Sequence, residues 1–514
     1  MSSARTGPPA ASCGPNPVRE SVLRHPATLP ELQARYGERY RWLLLLAVMV
    51  GTMASIMSST IINVAVPDMS RHFTLGQERA QWVASGFMIA MTVSMLTTPW
   101  LLARYGYRRT YAGTMWVLLV GSVIGGLSNN FSLVLAARVT EGLAAGVVLP
   151  IPAIIILRAF EPHEQGRAGG IFGMGVVLAP AIGPSVGGLL VDWFGWRSIF
   201  FMVVPFCLAS LWLAQRFVPT IMSGSTSATR AGGKLDWPGL LLASAGTLCL
   251  LNGLVQLHAG PTVPAVLLLT GAAAALIGFV AWQRRLGRAM AQGGDAPLMN
   301  LALYDHRAFA MGSIVAFIYG MALFGSTYLL PIYMRLGLEL SASHVGTILL
   351  PAGLVLAITI PLVGRLADQQ PTYLLVSIGL ALLAMSFALM GMVGLTGSLW
   401  VLAALAIVGR MGLGFILPSL NSGSMRGLHK DLIPQGSSAI NFVRTLGGAV
   451  GVSVCGIVLE WRLAAYGDSL SNPASSPARL AAFNESFALL AVLCALALAA
   501  AWQLRPGPPQ NKGR

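Results

Sequence analysis

The sequence predicts an all-helical membrane protein with fourteen transmembrane helices. Of its 514 residues, 55% are hydrophobic and only 10% are charged, whereas soluble domains carry about 25% charged residues. A mean hydropathy of +0.70 excludes a soluble fold, because a soluble chain of this length must display polar surface. Apolar runs of about 20 residues, the length that crosses a bilayer, recur along the chain. The predicted helices are 42–66, 80–102, 110–128, 131–157, 166–191, 198–217, 237–257, 262–283, 308–331, 343–367, 372–394, 398–420, 436–460 and 482–503.

The basic residues orient these helices. Of the 33 Lys and Arg residues, three fall inside predicted helices, six lie on the side opposite the termini, and the rest lie on the side of the termini. Loops rich in Lys and Arg stay in the cytoplasm, so both termini are predicted to be cytoplasmic. The net charge of +15 therefore reflects topology, and the basic residues form no stripe that would indicate nucleic-acid binding. We expect a multi-pass protein of the bacterial cytoplasmic (inner) membrane.

Composition divides the chain into seven segments. No short apolar segment with a cleavage site precedes Trp42, so no removable signal peptide is expected. A possible interfacial helix covers 30–41, and 466–481 is predicted to be the longest outside loop. The segments are a disordered cytoplasmic tail (1–41), a six-helix half (42–217), a cytoplasmic linker (218–236), two inserted helices (237–283), a cytoplasmic loop (284–307), a second six-helix half (308–503) and a cytoplasmic tail (504–514).

Three short motifs recur in one order at nearly constant spacing, which indicates an internal repeat. Helices 1–6 and 9–14 then form two parallel halves. Transporters built from such repeats place their substrate site near the bilayer midplane between the halves. The paired motifs are PWLLARYG (99–106) with GRLADQQP (364–371), GLAAGVVLP (142–150) with RMGLGFILP (410–418), and QGRAGGIF (165–172) with QGSSAINF (435–442).

Five motifs, taken in order, resemble those of a known family. PWLLARYGYRR (99–109) and GRLADQQP (364–371) resemble its loop signatures after helices 2 and 10. STIINVAVP (59–67) resembles its helix 1 signature, LAARVTEGLAAG (135–146) its helix 4 signature, and APAIGPSVGG (179–188) its helix 5 antiporter signature. From residue 42 to about 503 the chain resembles the fourteen-helix drug:proton antiporters of the major facilitator superfamily, in the EmrB/QacA group. The resemblance implies the major facilitator fold, with two six-helix halves and two inserted central helices. It also implies export of lipophilic or cationic small molecules in exchange for protons.

Helix 5 is expected to act as a gate. Proline removes a helical hydrogen-bond donor and bends the helix, while glycine permits close approach of a neighbouring backbone. We interpret the motif as a bend at which helix 5 slides on its partner when the outer gate opens. The alternative is ordinary packing of small residues between membrane helices. The gating residues are Pro180, Gly183, Pro184, Gly187 and Gly188.

Glu141 is the only acidic residue well inside a predicted helix, and Arg138 precedes it by three residues. Residues at this spacing lie on neighbouring parts of a helix surface and can pair. A charged group in the hydrocarbon is costly and marks a functional site by default. We hypothesise that Glu141 takes up a proton from outside and releases it inside. The alternative is a static ion pair that fixes helix 4.

Two departures from the family pattern concern this pair. Many members of the family carry Asp in helix 1 where this chain has Ser58, and commonly Gln where it has Glu141. One carboxylate is lost and another is gained in neighbouring helices. The resemblance therefore implies that the proton-carrying role has moved from helix 1 to Glu141, or that proton coupling is weakened or absent.

The basic loop after helix 2 and its repeat after helix 10 are expected to close the cytoplasmic side. The first copy departs from the family pattern, with Pro99 for the usual Gly and Ala103 for the usual Asp. We expect the arginines to hold the halves together through helix ends and loop acids; the alternative is that they set topology alone. The residues assigned to closure are Arg104, Arg108, Arg109, Gly364 and Asp368.

Polar and aromatic residues within the helices are candidates for a substrate cavity. Thr60 and Asn63 share one helix face, and aromatic rings would suit flat lipophilic cations. Arg410 is expected to line the cavity or to cap carbonyls, whereas Arg444 is expected to reach towards the cytoplasmic surface. The cavity candidates are Ser58, Thr60, Asn63, Tyr319, Tyr328, Arg410, Asn421 and Asn441.

No motif indicates an enzyme or a metal site. The sequence has no nucleotide-binding loop, no metal-ligand spacing and no nucleophile beside a base. No cofactor is expected, and the proton gradient is the expected energy source. The expected partners are a small-molecule substrate and the lipid bilayer, with a periplasmic adaptor and an outer-membrane channel as further candidates. The alternatives are an exporter of one endogenous metabolite and a non-transporting membrane sensor or assembly partner.

Overall fold

Helices make up nearly all of the described chain, as predicted. The computed structural model describes residues 28–75, 77–220, 234–257, 261–291, 296–393, 398–469 and 476–505. The first half contains α1 (Leu29–Tyr36), α2 (Arg39–His72), α3 (Gln77–Ser94), α4 (Thr98–Leu127), α5 (Phe131–Val148), α6 (Ile151–Ala159), α7 (Gln165–Phe194) and α8 (Ser198–Phe217). The remaining helices are α9 (Trp237–Leu257), α10 (Val263–Ala291), α11 (Arg307–Ile332), α12 (Ala342–Gln369), α13 (Thr372–Met390), α14 (Leu399–Ser424), α15 (Ile433–Ala465) and α16 (Pro477–Trp502).

The structure corrects the predicted N-terminal tail. Residues 29–36 form α1, and α2 already begins at Arg39, so the prediction of disorder is wrong for most of 29–41. Thr28 and Glu31 form a capping box at the start of α1, in which the Thr28 N–H donates to the Glu31 carboxylate at 3.1 Å. Leu29 and Leu32 are buried, which fixes this short helix against the bundle. Residues 1–27 lie outside the described chain.

Two predicted loops are shorter than expected. Helix α10 continues to Ala291, into the loop predicted at 284–307. Helix α16 begins at Pro477, inside the predicted outside loop, because the Ser476 hydroxyl caps it by accepting the Arg479 N–H at 2.9 Å. Most of the predicted linker, residues 221–233, lies outside the described residues.

A turn at Gly106 divides α4 into the end of one predicted spanning helix and the whole of the next. Gly106 has φ +78° and ψ 171°, a backbone conformation that favours glycine. A Cβ atom here would lie 2.5 Å from the carbonyl oxygen of Thr220, which accepts the Tyr107 N–H at 3.1 Å. The turn is therefore docked on the segment that follows α8.

Twelve stretches of the described chain are long and apolar enough to cross a membrane. One of them, Trp82–Leu127, has 46 residues and contains the Gly106 turn. As one helix it would be about 69 Å long, more than twice the hydrocarbon thickness of about 30 Å. Helix α7 is not among the twelve. The predicted count of fourteen is therefore neither confirmed nor contradicted.

Each half has its own hydrophobic core. The first core joins α2, α4 and α8 around Tyr40, Tyr111 and Cys207. The larger core joins α11 to α16 around residues such as Phe309 and Phe487. The halves meet where α7 packs on α12 and where α15 packs on α3 and α6.

The inserted helices α9 and α10 pack on each other, and α9 contacts α3 and α15. A buried polar cluster anchors their base. The Asp236 carboxylate accepts from Trp282 Nε1 at 2.8 Å and from Gln283 Nε2 at 2.6 Å, and Gln283 Oε1 accepts the Met299 N–H at 3.1 Å. The outer faces of both helices are apolar and exposed, as at Ile277, which suits contact with lipid.

Candidate functional site

A sealed charged cluster lies within the first half. Arg138 and Glu141 of α5 form the predicted ion pair, and their side chains are 2% and 1% exposed. Ser58 of α2 and Ser122 of α4 complete the cluster, and both are buried. The three helices α2, α4 and α5 therefore supply its polar atoms, and Ser58 lies 80 residues from Arg138 and 83 residues from Glu141 in sequence.

Both carboxylate oxygens of Glu141 are satisfied by hydrogen bonds. Ser122 Oγ donates to Oε1 at 2.6 Å, and Ser58 Oγ donates to Oε2 at 3.1 Å. Arg138 also donates to Oε2, and it binds Ser58 twice: Nη1 to Oγ at 2.7 Å and Nη2 to the backbone oxygen at 3.0 Å. Ser58, predicted to line a cavity, thus lies inside the ion-pair cluster. Sequence reasoning missed Ser122, since one serine in an apolar helix carries no distinguishing signal.

Small and aromatic residues shape the surroundings of the pair. A Cβ atom at Gly121 would lie 2.8 Å from Glu141 Cγ, so glycine lets α4 approach the carboxylate. The Arg138 guanidinium lies 4.3 Å from the ring centroid of Phe87 and donates to the Val83 oxygen at 3.4 Å. In this arrangement Glu141 has no contact with solvent, so proton exchange requires movement of the surrounding helices.

A second set of contacts joins the halves on the predicted cytoplasmic side. Asp368 at the end of α12 accepts the backbone N–H of Gly166 at 2.6 Å and of Arg167 at 2.8 Å. These groups belong to the first turn of α7, where a carboxylate also interacts favourably with the helix dipole. A Cβ atom at Gly364 would lie 2.7 Å from the Cα of Gly170, so the two helices touch through glycine. Gly364 and Asp368 therefore lie where closure was predicted.

The three arginines that follow predicted helix 2 lie in α4 and do not bridge the halves. They are Arg104, Arg108 and Arg109. Arg108 Nε donates to the Val218 oxygen at 2.7 Å, which caps the end of α8 within the first half. Arg104 and Arg109 are exposed and form no ion pair with any described residue. The expectation that these arginines hold the halves together is wrong, because the Gly106 turn docks on the segment that follows α8 and places Arg108 against Val218.

Two bonds between the halves on this side were missed by sequence reasoning. Arg158 Nη2 donates to the Lys430 oxygen at 2.9 Å, and Ser437 Oγ donates to the Pro150 oxygen at 3.0 Å. Both acceptors are backbone carbonyls, which no residue pattern identifies. They reinforce the Asp368 contact.

The predicted helix 5 motif (179–188) lies in α7 and packs on α2, which contains predicted helix 1. A Cβ atom at Gly187 would overlap Ile61, and one at Gly183 would lie 3.1 Å from Thr60 Oγ1. Thr60 therefore faces α7, and its hydroxyl donates to the Ile56 oxygen at 3.2 Å. A Cβ at Gly188 would also reach α2, at 3.9 Å from Val64. These contacts fit both the gating and the packing interpretation, so the gating role stays a prediction. The side chains of Asn63, Pro180 and Pro184 lie outside the described residues.

The cavity candidates of the second half fall into two groups. Asn441 is 5% exposed, donates to the Ser437 oxygen at 2.9 Å and accepts Arg444 Nη2 at 2.5 Å. The Arg444 side chain thus extends by about one turn towards the start of α15, the predicted cytoplasmic end, and the expectation that it reaches towards that surface stays a prediction. The phenol of Tyr319, 2% exposed, lies close enough to Arg410 and Arg444 to interact electrostatically with both.

The remaining candidates lie apart from this group. Tyr328 follows Tyr319 by nine residues on α11, which separates them by about 13 Å along the helix. Asn421 follows Arg410 by eleven residues on α14, about 16 Å closer to the predicted cytoplasmic side. The structure therefore brings together only part of the predicted set.

Asp368→Asn tests the contact between the halves. The substitution removes a negative charge from the N-terminus of α7. It should therefore raise the ratio of separated to closed halves on the predicted cytoplasmic side by about two- to thirtyfold. Spin labels at residues 109 and 426, both exposed, in a cysteine-free background would report the distance between the halves. Asp305→Asn, which changes an exposed carboxylate on the same side, is the control. An unchanged distance distribution in Asp368→Asn would show that the contact is dispensable.

Comparisons with known proteins agree with this architecture. Residues 48–452 match the family model described as Major Facilitator Superfamily. The chain is 29% identical over 446 residues to the multidrug resistance protein B homolog of Mycobacterium tuberculosis, covering 84% of this chain and 79% of that protein. It is 25% identical over 465 residues to the riboflavin transporter RibZ of Clostridioides difficile, covering 90% and 96%. The crystal structure of the human organic anion transporter MFSD10 superposes with a TM-score of 0.64 at 15% identity, covering 90% of this chain and 99% of that one. At this identity the last similarity concerns the fold alone.

Proposed function

Because the chain belongs to the major facilitator superfamily, we propose that this membrane transporter exports lipophilic, drug-like small molecules in exchange for protons. Membership makes it a multi-pass transporter and not an enzyme. Its relatives include proteins named for multidrug resistance, lincomycin resistance and multidrug export, which supports a drug-like substrate. The names of the relatives say nothing about protons, so the support for proton antiport has to come from the Arg138–Glu141 cluster.

The sealed Arg138–Glu141 pair is the observation that carries the proposal. When Glu141 is charged, it neutralises Arg138 in a site closed to water. When Glu141 takes a proton, the arginine loses its only ion-pair partner among the described residues, at a cost of about 3–5 kcal/mol. Protonation therefore destabilises this packing of α2, α4 and α5 and favours another arrangement of the helices. A ligand that binds two arrangements with different free energies shifts their populations, which is what coupling requires.

The orientation and surroundings complete the proposal. With both termini in the cytoplasm of a bacterial cell, the Asp368 contact closes the cytoplasmic side of the path between the halves. Glu141 then exchanges its proton when the helices rearrange, and the substrate leaves on the outer side. In a Gram-negative cell an adaptor and an outer-membrane channel would carry it onward.

Export of a single metabolite is the alternative. The riboflavin transporter among the relatives is named for one vitamin and covers 90% of this chain. The two functions use the same proton site and differ only in the breadth of substrates. Competition among chemically unrelated compounds for transport separates them.

Uptake into inverted membrane vesicles tests the proposal. Vesicles energised by respiration would be supplied with ethidium, rhodamine 123 or fluorescein, with and without a protonophore. We expect the protein to drive uptake of at least one dye, with complete loss on addition of the protonophore. Vesicles without the protein correct for passive entry. Uptake that persists unchanged with the protonophore would contradict proton coupling, and failure of all three dyes would contradict broad specificity.

A further inference from the structure

The second half carries two arginines at mid-depth. Arg410 lies eleven residues after the start of α14, and Arg444 lies eleven residues after the start of α15. Arg410 therefore lies within two residues of the middle of α14, and Arg444 lies five residues, about 8 Å, from the middle of α15. Tyr319 lies twelve residues into α11, at the same depth. Three helices place these groups in one layer of the membrane.

Neither arginine has an acidic partner in the part of the chain that the structure describes. The described chain contains seven ion pairs within 4.0 Å, and neither Arg410 nor Arg444 takes part in any of them. Among the described residues, the Arg444 guanidinium hydrogen-bonds only to the neutral Asn441, at 2.5 Å. The first half differs, because there Glu141 neutralises its arginine. Within the described residues, this layer therefore carries two positive charges that have no ion-pair partner, both in the second half.

Both arginines lie on helix faces that turn towards the first half. On α14, Arg410 shares a face with Leu417, which lies 3.8 Å from the position of a Cβ atom at Gly173 of α7. On α15, Arg444 shares a face with Ser437, which binds the Pro150 oxygen of the first half. Transporters of this architecture bind substrate near the midplane between the halves. The two cations are thus placed where a substrate would pass.

Neither Arg410 nor Arg444 is fully buried as a residue. An uncompensated cation within the membrane is costly, so an anion that reaches it gains both attraction and hydrogen bonds. The planar guanidinium donors match the oxygens of a carboxylate, sulfonate or phosphate. A cationic substrate would instead meet like charge.

We propose that the substrate is an organic anion whose oxyanion group is bound jointly by Arg410 and Arg444. Asn441 holds Arg444 in place, and the Tyr319 phenol lies close enough to both arginines to interact with them electrostatically. This inference narrows the proposed export function to a substrate class. It replaces the sequence-based expectation of flat cations, which rested on aromatic residues without regard to the arginines.

Equilibrium binding of two dyes with one ring skeleton tests the proposal. Purified protein in nanodiscs of phosphatidylcholine would be titrated with fluorescein, an anion, and with rhodamine 123, a cation, and followed by fluorescence anisotropy. We expect native protein to bind fluorescein at least about tenfold more tightly than rhodamine 123. Arg410→Gln and Arg444→Gln should each weaken fluorescein binding about tenfold or more and leave rhodamine binding unchanged or stronger. Arg410→Lys should retain part of the affinity, because it keeps the charge but loses the planar donors.

Arg365→Gln is the matched control, since Arg365 is exposed on α12. Preference for rhodamine 123 would overturn the proposal, as would native-like fluorescein binding in both glutamine variants. Equal weakening of both dyes would also overturn it, because it would show a structural role. A repeat with phosphatidylglycerol separates the free anion from a lipid headgroup: loss of the arginine-dependent binding there would assign the site to lipid and overturn the substrate proposal.

The binding measurement needs no proton gradient, so the two proposals can fail separately. Arginine-dependent binding of fluorescein without proton-driven transport would refute the coupling and leave the substrate class standing. Protonophore-sensitive uptake of dyes without dependence on either arginine would refute the substrate class alone.

Discussion

Glu141→Gln is expected to reduce protonophore-sensitive transport to the level of vesicles without the protein. Glutamine has nearly the same size and keeps an oxygen for Ser58 or Ser122, but it cannot take up or release a proton. The substitution therefore removes the coupling group while conserving volume. Uptake into energised inverted vesicles is the measurement.

Loss of transport in Glu141→Gln through lower stability has to be distinguished from loss of transport through removal of the proton site. In Glu141→Gln the buried Arg138 keeps its charge without a partner, which costs about 3–5 kcal/mol of stability. The double variant Arg138→Gln/Glu141→Gln removes both charges and should recover most of that stability, measured by thermal unfolding in detergent. It should still lack proton-driven transport. Proton-driven transport by a folded double variant would show that Glu141 is not the proton site.

Moving the carboxylate from α5 to residue 58 of α2 should restore the transport that Glu141→Gln loses. Ser58 Oγ lies 2.7 Å from Arg138 Nη1 and 3.1 Å from the Glu141 carboxylate, so an aspartate at 58 would reach the same arginine. The variant Ser58→Asp/Glu141→Gln recreates the arrangement that is usual in the resembling family. We expect recovery of both stability and protonophore-sensitive uptake. Recovery of stability alone would show that the ion pair is structural and that the proton site lies elsewhere.

Gly364→Val is expected to prevent the halves from closing on the predicted cytoplasmic side. Even a Cβ atom at this position would lie 2.7 Å from the Cα of Gly170, which is backbone and cannot move aside. Overpacking of this kind costs about 1–3 kcal/mol, which shifts an equilibrium by about five- to 150-fold. Export should fall accordingly, because a transporter held open on one side cannot complete its cycle.

The distance between spin labels at residues 109 and 426 would report the separation. The control is Gly353→Val on the same helix, where a Cβ atom would meet nothing within 4 Å. We expect a longer distance and impaired transport in Gly364→Val only. Equal effects of both substitutions would show that any bulkier residue in α12 perturbs it, and an unchanged distance in both would show that the glycine contact does not limit closure.

The local features were predicted well because they depend on neighbouring residues. The Arg138–Glu141 pair follows from a spacing of three on one helix, and no tertiary contact is needed to bring the two together. The apolar runs likewise predict helices one by one. Boundaries were less accurate where side-chain caps decide them, as at Thr28 and Ser476, because a cap acts through a single hydrogen bond.

The sequence by itself determined the membrane class, the helical fold, the family resemblance and the presence of one intramembrane carboxylate. Only the tertiary structure decided which groups surround that carboxylate, since Ser58 lies 80 residues from Arg138 along the chain. It also decided that Arg108 caps α8, and that Arg410 and Arg444 share one layer in which neither forms an ion pair with a described residue. The physical reason is that hydropathy and helical periodicity act within a segment. Charge compensation inside a membrane depends instead on which helices pack together, and that is a property of the whole fold.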